Sequence, residues 1–150
     1  MSEPRVLVVD DEEGPREAIR MILKPRYQVY TAGSGEEVLA SLAKLQPDVI
    51  FMDVKMPRMD GVQLLERVKA VDQKVEVVMI TAYASLDTVQ RAMRFGAMDY
   101  LVKPFAPKEL QEAADRAVAR RRERVDGPPG VLAQLIGQMR DLARQGEPAA

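Results

Sequence analysis

Short apolar runs punctuate the chain at residues 6–9, 29–31, 49–52, 77–80 and 100–102, each bounded by turn-forming or charged residues. They are strand-length and mostly rich in β-branched side chains, so they predict five β-strands. Between them the apolar positions recur with helical spacing. Ala18, Ile19, Ile22 and Leu23 form one stripe, closed by Pro25; Val38, Leu39, Leu42 and Leu45 form a second. Leu64, Leu65, Val68 and Val71 make the third, Leu86, Val89 and Met93 the fourth, and Leu110, Ala113, Ala114, Ala117 and Val118 the fifth. The last follows the i, i+3, i+4, i+7, i+8 rule of a helix that faces a core.

Polar residues at the helix starts agree with this division. Ser34 with Glu37, and Asp60 with Gln63, have capping-box spacing; Ser85 caps the fourth helix and Gly96 stops it. Five strands alternating with five helices predict an α/β fold, a parallel sheet wound on both faces. Strands covered on both sides need no polar face, which suits the near-continuous apolar runs. The pattern assigns residues 1–124 to this domain. Residues 125–150 read as a Pro/Gly linker, Asp-Gly-Pro-Pro-Gly at 126–130, followed by a short amphipathic helix over 131–145.

Composition narrows the chemistry. The 150 residues are 47% hydrophobic with no Cys, no His and no Trp, enough for a core without disulfides or thiolate zinc. A Ser-His-Asp triad, an HExxH site and a phospho-accepting histidine are all excluded. A net charge of −1 offers no general reason for nucleic-acid or membrane binding. The longest apolar runs span four residues, against roughly 18 for a membrane span. With no signal-peptide apolar region, a cytoplasmic location is expected. Met52, Met56, Met59, Met79, Met93 and Met98 read as core and loop filler. The arginines at 116, 120, 121, 122 and 124 read as the solvated end of the fifth helix.

In an open parallel sheet, ligands bind beyond the carboxyl ends of the strands. Asp10 and Asp11 follow the first strand, Asp53 the third, Thr81 the fourth and Lys103 the fifth; the second ends in nothing reactive and should be an edge. Singly, each is commoner as a cap or a solvated loop charge. Jointly, three carboxylates repel one another unless a cation sits among them. An all-oxygen cluster of this kind suits Mg²⁺. A site with Mg²⁺, a lysine and a hydroxyl is equipped for a phosphoryl group. With no His or Cys, a carboxylate is the available nucleophile, and Asp53, alone at its strand end, is the better candidate.

The residues then carry a pattern. Val-Leu-Val-Val-Asp-Asp-Glu at 6–12, Asp-Val-Ile-Phe-Met-Asp-Val-Lys-Met-Pro-Arg-Met-Asp-Gly at 48–61, Met-Ile-Thr-Ala-Tyr-Ala at 79–84 and Gly-Ala-Met-Asp-Tyr-Leu-Val-Lys-Pro-Phe at 96–105 stand in order. Over residues 4–123 the chain closely resembles the receiver domain of bacterial two-component response regulators, most of all receivers of ATPase-type transcription activators. The resemblance implies a flavodoxin-like (β/α)5 fold with a doubly wound five-stranded sheet of order 2-1-3-4-5. It implies that Asp53 accepts a phosphoryl group from a sensor histidine kinase or phosphotransfer protein. Asp10, Asp11, Asp53 and the backbone carbonyl of Lys55 would hold Mg²⁺. Thr81, Ala82 and Lys103 would bind the phosphoryl group, Thr81 and Tyr100 would be the switch pair, and the bond before Pro104 would be cis. Lys55 and Tyr83 would tune how long the phosphoryl survives.

A Mg²⁺-dependent aspartyl phosphatase usually needs a second carboxylate two residues after its nucleophile, and Lys55 stands there. A flavin carrier would want a phosphate-cradling loop where Asp-Asp-Glu-Glu stands. A receiver kept only for protein binding would not need the full reactive set. Tyr100 could simply pack. The resemblance therefore implies a signalling switch rather than an enzyme. Its output would come from a homodimer paired through the tail, or from a downstream effector domain or protein.

Overall fold

The computed structural model describes residues 3–126. The element order is β1 (Arg5–Val9), α1 (Glu13–Leu23), β2 (Gln28–Ala32), α2 (Gly35–Leu45), β3 (Val49–Asp53), α3 (Gly61–Val71), β4 (Glu76–Thr81), α4 (Leu86–Arg94), β5 (Asp99–Val102) and α5 (Pro107–Asp126). All strand pairs are parallel, in the order β2-β1-β3-β4-β5. The expected topology is the observed one, with β2 at an edge.

The sheet's period of two sorts its side chains between two cores. Leu7, Val9, Ile50, Met52, Val77 and Met79 pack with Val38 and Leu42 of α2, Leu64, Leu65 and Val68 of α3, and Ala92 of α4. Val6, Val8, Val49, Phe51, Val78 and Ile80 pack with Ile19 and Leu23 of α1 and Leu110, Ala113, Ala114, Ala117 and Val118 of α5. The small alanines let α5 lie close to the sheet. By contrast α4 buries only Ala92. The strands at either edge are less buried than the three central ones, β2 being mostly exposed. Among the described residues, no helix is long and apolar enough to cross a membrane.

Asp60 and Gln63 form the complete capping box of α3, and Ser85 with Thr88 does the same for α4. The box expected at Ser34 is only half made. The Ser34 hydroxyl accepts the Glu37 N–H at 3.2 Å, but the Glu37 carboxylate accepts from the N–H of Gly33 at 2.9 Å instead of Ser34. Gly96 stands just past α4 with φ +93, the left-handed conformation that favours glycine.

Arg116, Arg120 and Arg122 are exposed, as expected of a solvated helix end, whereas Arg121 is largely covered. Arg120 pairs with buried Glu76 at 3.7 Å. Arg121, 16% exposed, reaches Asp48 at 3.4 Å and Asp72 at 3.9 Å. Arg120 and Arg121 moor α5 to Glu76 at the start of β4, to Asp48 just before β3 and to Asp72 at the end of α3. The helix expected over 131–145, and the pairing of copies it suggests, lie outside the described residues.

Candidate functional site

The carboxyl ends of β1, β3, β4 and β5 converge on Lys103. Its ammonium lies 3.3 Å from Asp10 Oδ2 and 3.3 Å from Asp53 Oδ2, bridging two residues that are far apart in sequence. The other oxygen of each carboxylate is also held. Asp10 Oδ1 accepts the Glu12 N–H at 2.9 Å, and Asp53 Oδ1 accepts the Lys55 N–H at 3.1 Å. The β5 loop that carries Lys103 is tied to its neighbour by the Lys103 N–H donating to the Thr81 carbonyl at 2.8 Å. The Lys103–Pro104 peptide is cis.

Burial grades the carboxylates. Asp10 is 2% exposed, Asp53 is intermediate and Asp11 is exposed at the rim. Among the described residues, no three acidic side chains stand close enough together to hold a metal ion. Asp10 and Asp53 are thus brought together, and Asp11 is left at the outer edge. The donor set still fits Mg²⁺. Two carboxylate oxygens face one ammonium, leaving the pair with excess negative charge, and a hard ion of this kind takes one or two carboxylates and keeps water.

Asp53 has its carboxyl raised above the usual range, first by burial and then by Asp10, against the opposing pull of Lys103 and the Lys55 N–H. For Lys103, burial acts to lower the ammonium, but Asp53 and Asp10 outweigh it and the net shift is upward. A raised carboxyl contributes stability below the unfolded-state pKa and loses it as pH rises through the folded-state value. Asn keeps a neutral side chain at every pH. Asp53→Asn is therefore expected to be more stable than the parent at neutral pH, with the gap closing as pH falls through the carboxylate range. Urea midpoints across that range check this, and equal midpoints at neutral pH would contradict it.

The remaining candidates line the rim. Thr81 is fully buried, and its hydroxyl accepts the Tyr83 N–H at 3.0 Å. Ala82 is exposed beside it. The Lys55 ammonium sits 4.5 Å from the centre of the Tyr83 ring, so the residues two beyond Asp53 and Thr81 meet across the mouth. Tyr100 is half-buried against the core on the α3 and α4 side, and its hydroxyl lies 3.1 Å from Thr88 Oγ1. Thr88 is also the partner of Ser85 in the α4 cap, so one side chain joins Tyr100 to the start of that helix. Thr88 and Arg16, whose guanidinium donates to the Asp10 carbonyl at 2.9 Å, were not singled out by sequence pattern. Neither stands at a strand end, and contacts between elements leave no periodic mark.

An acidic pocket bridged by one lysine, at the carboxyl edge of a 2-1-3-4-5 sheet, defines a class of signalling domain. The chain belongs to the response regulator receiver domain family, which it matches over residues 6–115. It is 34% identical over 117 residues to sporulation initiation phosphotransferase F of Bacillus subtilis (strain 168), covering 77% of this chain and 94% of that one. It is 36% identical over 115 residues to the regulatory protein AtoC of Escherichia coli (strain K12), covering 76% of this chain but 25% of the relative. The chain thus spans only about a quarter of that longer regulator. A crystal structure of a CheY-like response regulator receiver domain protein from Methanospirillum hungatei JF-1 superposes with a TM-score of 0.79 at 29% identity, covering 82% of this chain and 99% of that one. Receiver domains are signalling switches, not conventional enzymes, and the family is generally magnesium-dependent.

Proposed function

We propose that this chain is a phosphorylation-activated switch whose acceptor is Asp53. The observation that carries the reading is the Lys103 ammonium shared at 3.3 Å between Asp53 and buried Asp10, with the Thr81 hydroxyl on the adjoining strand end. The donor would be a phosphohistidine of a sensor kinase or phosphotransfer protein. An Asp53 carboxylate oxygen bonds to phosphorus as the P–N bond breaks, and the electron pair leaves with the imidazole nitrogen. Lys103 and the Thr81 hydroxyl offset the charge on the phosphoryl oxygens, with the Ala82 N–H beside them. Asp10, Asp11, Asp53 and the Lys55 carbonyl would hold Mg²⁺, which supplies further charge neutralisation when bound.

The response follows from the weak seating of α4. Drawing Thr81 towards a phosphorylated Asp53 removes the acceptor of the Tyr83 N–H and frees space for Tyr100 to turn inward. Tyr100 then parts from Thr88, and the start of α4 loses a support. The phosphoryl group biases a two-state element through its bonds to Thr81 and Lys103. The remodelled surface would act on a second copy, on an effector domain such as longer regulators carry, or on an effector protein.

Two measurements test this. Acetyl phosphate with Mg²⁺ should add one phosphoryl mass to the intact chain. A beryllofluoride phosphate mimic should shift amide signals most across residues 81–105. Shifts confined to α1 and α2 would contradict the proposed route.

A further inference from the structure

We propose that Arg16 is a positioning residue for the acidic pair, setting the pose of Asp10 and Asp11 for the cation; the inference rests on the magnesium-dependent reading above. Its Nη1 donates to the Asp10 carbonyl at 2.9 Å. That carbonyl belongs to the peptide joining Asp10 to Asp11, so one bond fixes the plane from which both side chains depart. Rotation of this plane would swing Asp11 relative to Asp10.

The loop has few other holds. The Asp10 N–H donates to the Ala32 carbonyl at 3.2 Å, which fixes the near side of Asp10 through β2. On the far side, Glu12 caps α1 without any side-chain hydrogen bond. Its N–H is held only by Asp10's own carboxylate, 2.9 Å away. Lys103 holds the Asp10 carboxylate at 3.3 Å and the Glu12 carbonyl accepts the Arg16 N–H at 3.2 Å, but the peptide between Asp10 and Asp11 is itself held by the Arg16 guanidinium.

The guanidinium is itself seated. It crosses the β2–α2 turn at Gly33, where an added Cβ would lie 3.2 Å from Arg16 Nη1. The Glu37 carboxylate fixes that turn by accepting the Gly33 N–H at 2.9 Å. This explains why the Ser34 capping box is half made: Glu37 serves the turn on which Arg16 lies. A planar guanidinium presents its N–H groups in a rigid fork, whereas a lysine ammonium pivots on a flexible stem.

Charge and position act in opposite directions here, which makes the proposal decidable. A cation beside an acidic site repels Mg²⁺, so as a charge alone Arg16 would weaken binding and its removal would tighten it. As a positioning group, its removal weakens binding. The test is Mg²⁺ titration of the full chain, followed by calorimetry and by the amide signals of residues 10–12. The parent chain is compared with Arg16→Ala, Arg16→Lys and Gly33→Ala, with urea unfolding measured in the absence of Mg²⁺.

Arg16→Ala should lose roughly tenfold in Mg²⁺ affinity, as loss of a group that orients metal ligands does. Arg16→Lys should recover part of that loss. Gly33→Ala keeps Arg16 but pushes on its guanidinium, and should weaken binding about twofold, a smaller share of the same effect. It keeps the question open to test should Arg16→Ala fold poorly. Equal or tighter binding in folded Arg16→Ala, or a Gly33→Ala affinity unchanged from the parent, overturns the proposal while leaving the site reading intact. Absence of saturable Mg²⁺ binding by the parent chain overturns both.

Discussion

Asp53→Asn is expected to take up no phosphoryl group from acetyl phosphate and Mg²⁺, while Asp10→Asn and Asp11→Asn still label at reduced rates. Three carboxylates stand near the reacting end of the sheet, and their surroundings separate their roles. The Asp10 side chain is 3% exposed, with one oxygen held by the Glu12 N–H and the other by Lys103. It can bias charge within the pocket, but a phosphorus centre has no path to it. The Asp53 side chain is 13% exposed and shares the same ammonium, so an oxygen can meet an incoming donor while Lys103 offsets the developing charge. Asp11 is open to solvent at the rim.

An amide is a far poorer nucleophile than a carboxylate, so labelling of Asp53→Asn should fall below detection by intact mass. Loss of either member of the acidic pair removes a metal ligand or its charge, and should slow labelling by roughly 10- to 100-fold. The decisive result is which variant is silent. Full labelling of Asp53→Asn, or a silent Asp10→Asn beside a normal Asp53→Asn, would move the acceptor elsewhere.

The elements and their order were legible because each is a local pattern. The β1 and β3 runs are apolar throughout since helices cover both faces, and the stripe of α5 survives as Leu110, Ala113, Ala114, Ala117 and Val118 in one core. Strand ends were legible too, since the fold rule says where reactive side chains gather before any contact is known. What pattern could not convey was partnership across elements. Arg120 and Arg121 look like a solvated charge run until Glu76, Asp48 and Asp72 are placed opposite them. The spacing of Ser34 and Glu37 promises a capping box, but a competing N–H at Gly33 takes the carboxylate. Three aspartates in the sequence read as one cluster, whereas Asp10 and Asp53 share Lys103 and Asp11 is exposed at the rim.

Gly61→Ala should be the most damaging change of a single methyl near the site. Gly61 is the first residue of α3, and its N–H donates to the Val54 carbonyl at 2.7 Å. A Cβ there would lie 2.1 Å from the Asp53 carbonyl oxygen and 2.8 Å from Val54 Cα. Those are backbone atoms of the strand end and its loop, so no side chain can step aside. Either α3 lifts from β3, opening the core around Val62, Leu64 and Leu65, or the peptide after Asp53 rotates and carries the carboxylate away from Lys103. Overpacking costs about 1–3 kcal/mol, and a weakened hydrogen bond adds about 1 kcal/mol. A loss of about 2–4 kcal/mol in urea unfolding is expected. The folded fraction should accept phosphoryl at least about tenfold more slowly, because small misplacements of a reacting group are costly. Gly14→Ala is the matched control: a Cβ on this α1 residue would meet nothing within 4 Å. There the loss of backbone freedom in the unfolded chain favours alanine, by about 0.5–1 kcal/mol. Opposite signs for the same substitution at the two glycines would locate the constraint at the contact between α3 and Asp53. A Gly61→Ala chain as stable and as reactive as the parent would show that this contact can yield without moving the acceptor.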